Sequence, residues 1–121
     1  MAKKILLVDD EPDILTVTIT RLEKSGYEVL VAKDGEETLE MLDKDANPDL
    51  ILLDLLLPKM QGDELCKKIK SDSRFKHIPI ILFTASTIRV PVKVVEIGAD
   101  DCICKPFESE ELLRKIEKFT K

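Results

Sequence analysis

Short, wholly apolar runs alternate along this chain with longer stretches in which apolar residues recur every three or four positions. The most apolar run lies between Pro48-Asp49 and Pro58 and carries one carboxylate within it, Asp54. A run this short with no polar face reads as a strand buried on both sides, the kind found in parallel sheets under helices. Pro58 cannot donate to a ladder, so the strand should stop before it, with Asp54 near its C-terminal end. Four more runs read as strands: 3–8, running into Asp9 and Asp10; 27–32; 78–83, ending at Thr84; and 101–105, ending at Lys105.

The intervening stretches predict helices. Pro12 suits a first helical position, and Glu11 and Asp13 suit the N-terminal dipole of a helix running to about Lys24, with Gly26 as its left-handed terminator. Asp34 and Glu37 form a capping box for a helix to about Asp43 that carries Leu39 and Leu42 inward. A third helix turns Leu65 and Ile69 to the core and breaks at 71–74, and a last one from about Glu108 has a stripe of Leu112, Leu113 and Ile116. A helix over 88–97, closed by Gly98, is also expected, although Pro91 and four valines make it a poor helix former. Strand and helix thus alternate five times. This is the pattern of an α/β fold, a parallel sheet covered by helices on both faces through right-handed crossovers.

At 121 residues the chain is long enough for one compact domain, expected over 1–121, and too short for an eight-fold barrel. A net charge of -5 and a pI near 5.0 argue against direct nucleic-acid binding. Lys3 and Lys4 precede an apolar run too short for a membrane span or signal peptide, so the cytoplasm is the expected location. Cys66, Cys102 and Cys104 form no C-x-x-C pair and read as reduced thiols packed in the core.

Candidate chemistry collects at the strand ends. In a parallel sheet Asp9, Asp10, Asp54, Thr84 and Lys105 all fall along one edge, where open α/β sheets bind ligands. Three clustered carboxylates repel one another unless they raise their pKa values or hold a cation. An all-oxygen set without His or Cys suits Mg²⁺, with Mn²⁺ as the alternative. Beside such an ion Asp54 can act as nucleophile toward a phosphoryl group, while the Thr84 hydroxyl and Lys105 ammonium meet the charge on the phosphoryl oxygens.

The chain also resembles a known family, the response-regulator receiver domains of two-component signalling. The resemblance rests on 5–12, 26–29, Asp34-Gly35-Glu36-Glu37, 48–54, Pro58 with Gly62, Thr84-Ala85, and 98–101 through Lys105-Pro106-Phe107. It implies a flavodoxin-like (βα)5 sandwich of strand order 2-1-3-4-5. It implies Asp54 as phosphoacceptor, Asp9, Asp10, Asp54 and the backbone carbonyl of Leu56 as Mg²⁺ ligands, and Thr84 and Lys105 on the phosphoryl group. It also implies a histidine kinase or phosphotransfer domain as donor, a downstream protein or output domain as target, and a signalling phosphoacceptor rather than an enzyme.

The chain departs from the family at Cys102, where many relatives carry an aromatic ring, and at Leu56 and Ser86, positions that tune dephosphorylation. Without that ring, phosphorylation is expected to shift the 88–97 helix and the loop before it through Thr84 itself. A haloacid-dehalogenase-type phosphatase would need a second acid where Leu56 stands, and no Gly-rich loop supports a nucleotide site. The competing reading is a phosphorylation-independent interaction module on the same fold. On the first helix Ile14 and Val17 suit the core, while Leu15, Ile19 and Leu22 widen the apolar arc to roughly 200°. Leu15 and Ile19 are therefore expected in an exposed patch facing the kinase.

Overall fold

The computed structural model describes residues 2–54, 61–84, 98–104 and 109–120, with the backbone alone for Thr84, Cys104 and Ser109. Five strands, β1 (Lys4–Val8), β2 (Glu28–Ala32), β3 (Leu50–Asp54), β4 (Ile80–Thr84) and β5 (Asp101–Cys104), form one parallel sheet in the order β2-β1-β3-β4-β5. The described helices are α1 (Pro12–Lys24), α2 (Gly35–Asp43), α3 (Gly62–Ser71) and α4 (Ser109–Thr120). The helix expected over 88–97, the loop holding Leu56 and Pro58, and Lys105-Pro106-Phe107 lie outside the described residues.

Strand alternation divides the core into two layers. Leu6, Val8, Ile51, Leu53, Ile80 and Leu82 face Leu42 of α2 and Leu65, Cys66 and Ile69 of α3. The intervening residues Ile5, Leu7, Leu50, Leu52, Ile81 and Phe83 face Leu15 and Leu22 of α1 and Leu112 and Ile116 of α4. The central strands are therefore apolar throughout 5–8, 50–53 and 80–83, because both faces are covered there, as their hydrophobicity predicted.

Two helix ends show why the strands begin where they do. After α1, the Gly26 N–H donates to the Glu23 carbonyl and the Tyr27 N–H to that of Leu22, with Gly26 at φ 91°. This pair of bonds consumes the Tyr27 donor, so β2 starts one residue later than expected, at Glu28. The end of α2 repeats the pattern: Asp45 donates to Leu42 and Ala46 to Met41. Asp45 takes the left-handed position at φ 62°, which favours glycine. At its start, α2 is capped as the sequence predicted, with the Asp34 carboxylate accepting from the Glu37 N–H at 2.8 Å.

Two aspartates tie the strand starts together. The Asp49 carboxylate accepts from the Lys4 N–H, and the Asp49 N–H donates to the Lys4 carbonyl, each at 2.7 Å. Asp100 accepts from the Ile80 N–H and from the Lys70 ammonium, both at 2.8 Å. These bonds lock the register at the edge opposite the strand ends that carry the candidate chemistry.

The phase of α1 corrects the sequence-based expectation. Leu15, Thr18 and Leu22 form its buried line, Ile14 and Ile19 are half-buried, and Val17 is 62% exposed. Leu15 is thus a core residue at 8% exposure, and Val17, expected inside, faces out. A threonine completes the inward stripe, so a count of apolar positions alone misplaces its centre. The Thr18 hydroxyl is buried, with no hydrogen-bond partner among the described residues.

The thiols are described for two of the three cysteines. Neither Cys66 nor Cys102 forms a disulfide among the described residues. Cys66 is buried under α3, and that burial pushes its thiol up to about 11, so it stays protonated and unreactive at neutral pH. Cys102 packs at the margin of the same layer, and the Cys104 side chain lies outside the described residues.

Candidate functional site

Strand register brings the first two acids together. Val8 is paired with Leu53, so the next residue on each strand, Asp9 and Asp54, falls in the following row. Alternation turns both toward the layer covered by α1 and α4, since Leu7 and Leu52, two positions earlier, already lie there. Asp54 is the last residue of β3, as its place before Pro58 suggested, and it is 2% exposed. Asp9 is fully buried, and its N–H extends the ladder to the Ala32 carbonyl at 3.1 Å.

A third carboxylate joins them, and it is not the one the sequence singled out. Oxygens of Asp9, Glu11 and Asp54 all lie within 4.8 Å of one another, whereas Asp10 is exposed and outside this trio. The cause is local. The chain remains extended at Glu11 (φ -86°, ψ 114°), the residue that precedes α1. Asp9 and Glu11 lie two residues apart and their carboxylates come together, while Asp10 between them is exposed. The Glu11 N–H also donates to the Asp9 carboxylate at 3.0 Å, which fixes the turn. Glu11 makes no side-chain cap on the helix it opens. In the sequence it reads as an ordinary helix-opening acid. The usable signal was its two-residue spacing from a buried strand-end aspartate.

The remaining candidates are placed only in part. β4 ends on Thr84, one position past Phe83, the partner of Asp54 across the sheet. The Thr84 side chain, the Leu56 carbonyl and Lys105 lie outside the described residues.

The donor set defines what this cluster can hold. Three carboxylates with no imidazole or thiolate among them are hard oxygen ligands, suited to Mg²⁺ or Mn²⁺ and poorly suited to zinc. Two of the three are buried and the third is at the surface, so an ion here would be gripped from the sheet side and open to solvent on the other. No helix among the described residues is long and apolar enough to cross a membrane.

Comparison with known proteins agrees with this geometry. The family model of the response regulator receiver domain matches residues 5–117. The alkaline phosphatase synthesis transcriptional regulatory protein PhoP of Bacillus subtilis is 42% identical over 118 residues, which are 97% of this chain and 48% of that protein. The chain spans about half the length of the curated relatives it matches. Among solved structures, the Vibrio cholerae chemotaxis protein CheY4 superposes with a TM-score of 0.90 at 33% identity, covering 98% of this chain and 99% of that one. The receiver domain of the Pseudomonas aeruginosa sensor histidine kinase PA1611, solved with a magnesium ion coordinated in its active-site cleft, also reaches 0.90 at 29% identity, over 99% and 98%. With the strand order, the position of Asp54 and the acidic cleft in agreement, the chain belongs to the response-regulator receiver domains of two-component signalling.

Proposed function

We propose that this domain, spanning 1–121, takes a phosphoryl group onto Asp54 from the phosphohistidine of a histidine kinase or phosphotransfer domain in the cytoplasm, and passes the change to a downstream protein or output domain. The observation that carries this reading is a buried carboxylate at the end of the central strand with two further carboxylates within 4.8 Å.

In the reaction, an Asp54 oxygen attacks phosphorus. An O–P bond forms, the N–P bond of the donor breaks, and the departing imidazole takes up a proton. Asp9 and Glu11 hold the negative edge of the site, and Asp10 with the Leu56 carbonyl is assigned to the same ion by the family resemblance. Mg²⁺, or Mn²⁺ in its place, supplies charge neutralisation for the phosphoryl oxygens when bound. Thr84 and Lys105 are assigned to those oxygens on the same grounds. The sheet side of Asp54 is closed by packed side chains, so the donor must approach from beyond the strand ends. In this role the domain is a signalling phosphoacceptor that promotes only its own phosphorylation and dephosphorylation.

The test is labelling with acetyl phosphate, read as intact mass. One added phosphoryl group that depends on Mg²⁺ is expected. A chain that stays unlabelled, or is labelled equally in EDTA, contradicts the proposal and leaves the phosphorylation-independent module as the better reading.

A further inference from the structure

Building on the phosphoacceptor reading above, we infer that Glu11 is a metal-site residue whose carboxylate reaches the coordination sphere of the ion, on the metal or on one of its waters. The placement argues for it. Glu11 oxygens lie within 4.8 Å of those of both Asp9 and Asp54. Two ligands on opposite sides of an octahedral Mg²⁺ are about 4.2 Å apart, and Mg²⁺ keeps several waters that seek acceptors. Glu11 is exposed, at the solvent side of the cluster. It therefore adds negative charge at the open side of a site whose other two members are buried.

This charge has two opposed consequences. It draws a divalent cation into the cleft, and it repels a phosphodonor dianion whenever the cation is missing. Glu11 thus makes phosphoryl uptake more strictly dependent on the metal than Asp9 and Asp54 alone would.

Mn²⁺ binding by the purified domain, followed by electron paramagnetic resonance of the free ion, tests this without any turnover. Glu11→Gln is expected to weaken Mn²⁺ binding by about tenfold, the effect typical of groups supporting a metal site. Asp13→Asn removes the same unit charge from an exposed position in the first turn of α1 and is expected to change affinity less than about twofold. In labelling with acetyl phosphate, Glu11→Gln should need about tenfold more Mg²⁺ for half-maximal rate, yet reach at least the wild-type rate at saturation. A Glu11→Gln affinity no lower than that of Asp13→Asn, in a wild-type protein that binds Mn²⁺ and is labelled, overturns the role of Glu11 alone. Wild-type protein that binds no Mn²⁺ overturns this inference and the proposed function together.

Discussion

Asp54→Asn is expected to abolish phosphoryl uptake and, at the same time, to make the metal-free domain more stable. The two effects share one cause. Asp54 is 2% exposed and faces the carboxylates of Asp9 and Glu11 within 4.8 Å. Like charges held this close oppose folding unless a cation separates them. The carboxamide keeps the shape of the side chain, removes one charge and cannot act as the nucleophile. A gain of about 0.5–2 kcal/mol in unfolding free energy is expected in EDTA, the range found when a site kept for function is relaxed. Magnesium should reverse the order. At a hundredfold excess over its dissociation constant it stabilises the wild type by about 2.7 kcal/mol, and the variant, lacking a ligand, should gain much less. Urea unfolding of both proteins with and without Mg²⁺ reads all four values. A variant less stable than wild type in EDTA would show that Asp54 is held mainly by favourable contacts.

The second large effect concerns α1. Leu15→Ala is expected to cost about 2–5 kcal/mol, since Leu15 packs in the layer formed by Ile5, Leu7, Leu50 and Leu52. Val17→Ala, one turn-fraction away on the same helix, should stay within about 0.5 kcal/mol, because Val17 is 62% exposed. The pair fixes the rotation of the helix. Equal costs, or a larger cost at Val17, would place the inward stripe where a count of apolar residues first put it. The same result decides which residues of α1 a partner can reach. Val17 is available at the surface, while Leu15 is not, so loss of phosphotransfer in Leu15→Ala would report a damaged fold rather than a lost contact.

Most of the sheet was legible because burial on both faces leaves a run with no polar side. Leu50 to Leu53 could be little else, and the proline after the run placed Asp54 at its end. The Asp34 cap of α2 and the glycine ending α1 are local signals whose physics is complete within a few residues. What escaped the sequence depended on three-dimensional phase. Thr18 lies in the buried stripe of α1 although its side chain is polar, and Val17 is exposed although its side chain is not. Glu11 was hidden by a plausible local role at a helix start. Its membership of the acidic cluster is set in the short turn between strand and helix. β4 begins at Ile80 rather than Ile78 because Pro79 has no N–H to donate, although its carbonyl still accepts from Ile51 at 2.9 Å.

The central claim, that Asp54 receives the phosphoryl group, is tested most directly by trapping the acyl phosphate. Borohydride reduces an aspartyl-phosphate to homoserine and leaves free carboxylates intact. After treatment with acetyl phosphate and Mg²⁺, then borohydride, peptide mass spectrometry should find homoserine at position 54 and aspartate at positions 9 and 10. Homoserine at another position, or none in protein whose intact mass shows phosphoryl uptake, would contradict the account.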